Sequence, residues 1–292
     1  MIRKTYHLEL ISPCFCAGAD SAVAEIRPAS IRGQLRWWFR VLGGTPQDEA
    51  TIFGSAAGNE GNGSTVRITV SNVVPCGSWT PPNFGRNDPD AYVWYCAKAS
   101  GKPPGTGPYV AGPRWVQGGA LNIGTTFELS LTLLRPLLAP LQQAFDDALH
   151  AFLTFGALGL RNTRGLGAFQ CEKTKPLGEM IQFLERKEFI VSQRNLKDTF
   201  GDFDAAINDW NAWLKHLRHR SRYPAESPSA LGGISPRQTS AIRFRPIKLE
   251  SGKYTWLAFE APHDRVLAGE LPTLLTRNIF SGAAPTAPNR RR

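Results

Sequence analysis

Three arginines, Arg32, Arg36 and Arg40, fall four residues apart within EIRPASIRGQLRWWFRVLGG, residues 25–44. On a helix that spacing puts them on one face, where they repel one another. A polyanion or a set of carboxylates would relieve the repulsion. Phosphate suits it well, because the planar guanidinium fork donates two hydrogen bonds at once. Arg27 just ahead of the run adds a cation, and Trp37 beside it adds a stacking surface. The alternative is a solvated basic face held by structural ion pairs. A second cluster is FGALGLRNTRGLGAF, where Gly156, Gly159, Gly165 and Gly167 surround Arg161 and Arg164. Glycines admit positive φ and let backbone amides approach a phosphate closely. A nest of such amides with two arginines can bind one. A helix C-cap and a tight turn into a strand account for the same glycines without any ligand.

Other chemistry finds less support. His7 on the first strand could serve as a general base. His216 and His219 sit one helical turn apart in KHLRHRSR, which fits a metal pair or an acid/base, but more readily a basic solvated face. His150 and His263 have no spacing that suggests a site. Residues 58–65, GNEGNGST, have the glycine spacing of a nucleotide-binding loop, but Ser64 stands where the phosphate-binding lysine must be. There is no HExxH and no GxSxG. Cys14 and Cys16 form a CxC and the five cysteines contain no CxxC, so neither a zinc ribbon nor a disulfide scaffold is expected. Reduced cysteines fit the cytoplasm. No metal and no cofactor are expected.

The elements that must carry these residues can be read from periodicity. Tyr6, Leu8 and Leu10 alternate within a strand over 5–12. Residues 30–42 read as a helix with Ser30 as N-cap, Gly43-Gly44 as stop and Ile31, Leu35, Trp38 and Leu42 as its apolar stripe. Val66, Ile68 and Val70 mark a strand, as do Phe127, Leu129, Leu131 and Leu133. A helix over 137–155 and a strand over 166–172 follow. Strand, helix, strand, strand, helix, strand is the split β-α-β plan. It packs helices on one sheet face and leaves the other open, the face that RNA-recognition modules use.

A Gly/Pro-rich insertion over 75–124, with Trp79, Trp94 and Trp115, interrupts this unit. Helices are expected over 178–190 and 198–220, the second with Phe203, Ile207, Trp210, Trp213, Leu214 and Leu217 on one face. A strand pair over 241–249 and 253–260 turns at Ser251-Gly252, and a helix over 264–277 would be kinked at Pro272. The expected fold is α+β: two ferredoxin-like (RRM-like, βαββαβ) modules packed together, residues 1–175 with the insertion and a degenerate second copy over 176–280. Residues 281–292 read as a disordered basic tail.

The chain has 292 residues and a formal net charge of +10. The length suits one large domain or two small ones, and the charge favours a polyanionic partner. No apolar run reaches the ~18–20 residues of a membrane span. The first residues, MIRKTYHLELIS, lack the apolar core of a secretory signal. Neither a membrane partner nor a leader is expected.

Taken together, YHLELISP, then EIRPASIRGQLRWWFR, then GALGLRNTRGLGAF resemble the RAMP superfamily of CRISPR proteins. Within it, LRWWFR is similar to the head subunit of type III-B (Cmr) effector complexes. Residues 237–246, RQTSAIRFRP, resemble that subunit's arginine-serine strand, with Ala241 in place of the expected proline. The resemblance implies a non-catalytic subunit near the 3′ end of the guide RNA that helps capture target RNA in antiviral defence. It implies a second head subunit and a backbone subunit as neighbours. It implies RNA contacts at Arg27, Arg32, Arg36, Trp37, Arg40 and the loop of Gly159, Arg161, Arg164, Gly165 and Gly167. Asp20 lies where the backbone subunit carries its cutting aspartate, but GADSAVAEIRP resembles the head-subunit version. A metal-independent endoribonuclease that processes guide precursors, with His7, His216 or His219 as base, is the alternative.

Overall fold

The computed structural model describes residues 2–20, 23–55, 61–77, 93, 98–99, 114–115, 120–195, 198–220, 230–233, 238–267, 271, 273–275 and 280. The side chains at 98–99, 114–115 and 215–220 are not among what is described. Most of the insertion, the tail, Arg237 and the side chains of His216 and His219 therefore lie outside the described residues.

In chain order the first elements are β1 (Ile2–Leu10), β2 (Cys14–Phe15), α1 (Pro28–Val41), α2 (Pro46–Phe53), β3 (Val66–Val74), β4 (Lys98–Ala99), β5 (Arg114–Trp115), β6 (Ala120–Leu121), β7 (Thr126–Leu133), α3 (Ala139–Phe155) and β8 (Phe169–Cys171). β1, α1, β3, β7, α3 and β8 follow the expected succession. Their strands form an antiparallel sheet in the order β3-β7-β1-β8. The register pairs Leu8 with Phe127 and Tyr6 with Leu129, so apolar side chains share one face. Ile31, Leu35 and Trp38 of α1 and Phe145, Leu149 and Phe152 of α3 join the same buried cluster.

The next elements are α4 (Leu177–Arg186), β9 (Ile190–Gln193), α5 (Phe203–Arg220), β10 (Ile242–Lys248) and β11 (Tyr254–Glu260). β11 pairs antiparallel with both β10 and β9, so β9 and β10 run parallel on either side of it. One face of this sheet packs on α5: the Trp210 ring stacks on Phe244 with centroids 3.7 Å apart. The other face supplies Leu257 and Phe259 to the first cluster, with Phe259 5.5 Å from Trp38. Ile11, Phe15, Leu166 and Ala168 in turn join the second cluster. Each core thus draws on both sides of residue 175. Among the described residues no helix is long and apolar enough to cross a membrane.

Four expectations are corrected. α1 begins at Pro28, with Arg27 rather than Ser30 as N-cap and no side-chain capping bond. The proline ring presets φ, and its missing N–H costs nothing at the first helical position. α2 was not expected; Thr45 caps it by accepting a bond from the Asp48 amide at 3.1 Å. The helix expected to reach 190 stops at Arg186, Glu188 takes a positive φ of 69°, and Ile190–Gln193 becomes a strand. Among the described residues of the helix expected over 264–277, the one helical element is a 3-10 turn at His263–Arg265. The amides of Leu274 and Leu275 donate to the buried Glu260 carboxylate at 3.1 and 2.8 Å, which satisfies them outside a helix.

Candidate nucleic-acid interface

α1 presents two different faces. Ile31, Leu35, Trp38, Phe39 and Val41 are buried. Trp38 is the hub, with its ring 6.1 Å from Phe155 and 6.3 Å from Phe189. On the other side the arginines are partly spoken for. Glu49 of α2 is itself buried and pairs with both Arg36 and, at 3.0 Å, Arg40. Arg32 donates to the Phe53 carbonyl at 3.2 Å. A single carboxylate therefore pairs with two of the three arginines that the sequence left open to a polyanion. The missed residue had a local signal, since Thr45-Pro-Gln-Asp48 reads as a helix start that carries Glu49 on its first turn. Arg27 and Arg40 remain exposed.

Gly33 lies on the exposed side of α1, and a Cβ there would meet nothing within 4 Å. Gly33→Ala is expected to stabilise the protein by about 0.5–1 kcal/mol through helix propensity, read as a higher thermal midpoint. A simultaneous fall in RNA affinity would mark this face as one that a phosphate backbone approaches.

Trp37 meets Trp38 edge-on at 5.0 Å and carries the Arg243 guanidinium over its ring at 3.4 Å. One stacking face is thus already occupied by a protein cation. Arg243 also donates to Gln34 Oε1 at 3.0 Å. Two residues on along β10, Arg245 points to the same side of the strand and donates to the carbonyls of Gly156 and Phe169. Burial without a carboxylate pushes both guanidinium groups down to about 9. They join β10 to α1 and to the end of α3. The alternation in IRFRP was the signal for this shared side.

The glycine loop folds inward. Leu158 and Gly167 bond across it, Gly167 bonds to Pro13 just ahead of β2, and Leu160 bonds to Phe15 of β2. Gly159, Gly165 and Gly167 have φ of 75°, 90° and 68°. The Arg164 side chain is buried, donates to the Leu231 carbonyl and to Ser240 Oγ, and lies 5.8 Å from the Phe244 ring centre. Arg161 is half-buried with φ of 56°. The structure thus brings Arg27, Arg32, Arg36, Trp37 and Arg40 together on α1, and turns Arg164 away from solvent.

The open sheet face carries Thr5, His7, Thr69, Ser71, Glu128 and Ser130 in register. Among the described residues it bears no aromatic ring of the kind on which RNA-recognition modules stack bases. His7 is 62% exposed by side chain and sits 3.5 Å from Glu128. Among the described residues no group of three or more His, Cys, Asp and Glu could hold a metal ion. Cys14, Cys16, Cys76 and Cys171 are free.

A family model for the RAMP superfamily matches residues 7–170. Two curated proteins of Pyrococcus furiosus are similar. CRISPR system Cmr subunit Cmr1-2 is 46% identical over 44 residues, 15% of this chain and 24% of that protein. CRISPR system Cmr subunit Cmr1-1 is 26% identical over 195 residues, 61% of this chain and 51% of that protein. The matches therefore span about a quarter and about half of these relatives. In fold, the chain is similar to the apo crystal structure of Cmr1 from Pyrococcus furiosus, with TM-score 0.55 and 16% identity over 96% of this chain and 92% of that one. It is also similar to a chain of the cryo-EM structure of type III-B Cmr-beta bound to cognate target RNA, with TM-score 0.53 and 12% identity over 88% and 94%.

Proposed function

The chain belongs to the RAMP superfamily, and from that premise we propose that it is a non-catalytic, RNA-binding subunit of a type III-B CRISPR ribonucleoprotein. It sits at the head of the complex near the 3′ end of the guide RNA and helps capture target RNA. Its neighbours are a second head subunit and the backbone subunit, in the cytoplasm. The observation that carries this reading is the joint likeness to Cmr1, in sequence over 195 residues and in fold over nearly the whole chain.

The topology supports reading both units as ferredoxin-like. The first sheet has the helix-linked strands β1 and β3 separated by β7, with β8 on the far side of β1. The second repeats the first half of that plan, with β9, α5, β10 and then β11 inserted between the two strands. On this reading the modules cover 1–175 and 176–280.

RNA contact is assigned to the exposed side of α1, with Arg27 and Arg40 as the most accessible cations. Arg32, Arg36, Trp37 and the rim of the glycine loop at Gly159 and Arg161 flank them. Arg164, Gly165 and Gly167 support the loop from beneath.

The test is a titration of labelled single-stranded guide RNA at several salt concentrations, read on native and denaturing gels. Arg27→Glu with Arg40→Glu is expected to weaken binding at least about tenfold and to flatten the log–log salt slope by about 1.4, at 0.7 per lost phosphate contact. Unchanged affinity and slope would remove α1 from the RNA interface. Shortened RNA in the presence of chelator, abolished by His7→Ala, would favour the endoribonuclease instead.

A further inference from the structure

An open cleft lies at the seam between the two sheets. Its walls are the last turn of α3, β8, the turn into α4, and β10. Lys175, Arg245 and Lys248 line it, with the hydroxyls of Thr154 and Thr174 and the amide of Gln170. None of its lining residues is a carboxylate.

Arg245 is 3% exposed, and its Nε has no acceptor although Nη1 and Nη2 are used. Nη1 donates to the carbonyl of Gly156, the extended residue that ends α3. Lys175 is exposed. Lys248 donates to Glu9 Oε1 and Gln170 to Glu9 Oε2, each at 3.1 Å, so one nearby carboxylate offsets part of the charge. The hydroxyls of Thr154 and Thr174 bond to the carbonyls of His150 and Cys171, and both can rotate toward a ligand.

Burying a cation with an idle donor is costly unless a counter-charge is at hand. A phosphate supplies the charge and several acceptors at once, and suits ammonium and guanidinium groups together. We propose that this seam cleft binds the phosphate of a nucleotide or of an RNA backbone. The site is separate from α1 and does not depend on the reading given to that helix.

The test is calorimetric titration of the full chain, at constant ionic strength, with uridine 5′-monophosphate, with the dinucleotide UpU and with uridine. The phosphate-bearing ligands are expected to bind at least about tenfold more tightly than uridine. Stronger binding of the monophosphate assigns the cleft to a terminal phosphate. Binding of UpU at equal or greater strength assigns it to the backbone. Lys175→Gln with Lys248→Gln is expected to cost about tenfold or more in affinity for both. Lys175→Gln alone, at an exposed position, keeps the test readable if the double variant unfolds. Equal binding of uridine, no binding of either phosphate-bearing ligand, or wild-type affinity in the lysine variants overturns the proposal.

Discussion

Arg164→Ala is expected to lower stability by about 3–5 kcal/mol, because its charged hydrogen bonds to Leu231 and Ser240 and its packing on Phe244 are lost together. Leu231 and Ser240 are left with acceptors inside the protein, and the glycine loop loses its bolt to the second unit. For a chain of this size the thermal midpoint is expected to fall by roughly 5–8 °C. Arg164→Lys keeps the charge but not the fork, so it should recover less than half of the loss. Thermal denaturation followed by circular dichroism, with RNA affinity measured where each variant is folded, separates the two roles. A wild-type melting curve with lost RNA affinity would mean that the side chain reaches RNA. A lowered midpoint with RNA affinity retained in the folded fraction would fix its role as internal.

Gly167→Ala is expected to be nearly as damaging. The residue holds φ at 68°, and an added Cβ would lie 1.8 Å from the Leu158 carbonyl oxygen. The left-handed backbone alone costs a non-glycine residue about 1–2 kcal/mol, and the overlap with backbone adds about 1–3 kcal/mol more. That oxygen belongs to the strap across the loop and cannot swing aside as a side chain would. The expected result is a protein with a sharply lowered midpoint, or one recovered mainly in the insoluble fraction. A Gly167→Ala variant that melts as wild type would mean that the loop has a second accessible arrangement.

Much of the scaffold is legible in the sequence because its signals are local. The alternation of Tyr6, Leu8 and Leu10 and the stripe of Ile31, Leu35 and Trp38 lead directly to buried faces. What stays hidden depends on residues far apart in the chain. Thr45-Pro-Gln-Asp48 signals α2, but nothing there says that Glu49 will pair with both Arg36 and Arg40. Nothing near Arg164 says that its side chain will turn toward Leu231 and Ser240, 67 and 76 residues away. A glycine-arginine loop reads the same whether its glycines admit a ligand or their own backbone. Here Gly159 and Gly167 face the carbonyls of Phe15 and Leu158, while Gly165 faces the Trp256 ring. Strand β9 is too short for periodicity to distinguish it from the end of α4.

β1 precedes β7 and β8 in the chain and lies in the interior of its sheet, with β7 on one side and β8 on the other. Thr5 meets Ser130, 125 residues downstream, and Ser12 bonds to the Ala168 amide, 156 residues downstream. At roughly 5–20 residues per second, an emerging β1 waits about 6–25 s before β7 has even been synthesised. During that time a strand with an apolar face has neither edge covered, and closing such long loops is slow for any chain. The architecture thus makes the interval between synthesis of β1 and of β7 an aggregation-prone stage of biosynthesis. Holding that strand apart from its neighbours on the polysome is a task that falls to chaperones rather than to the finished fold.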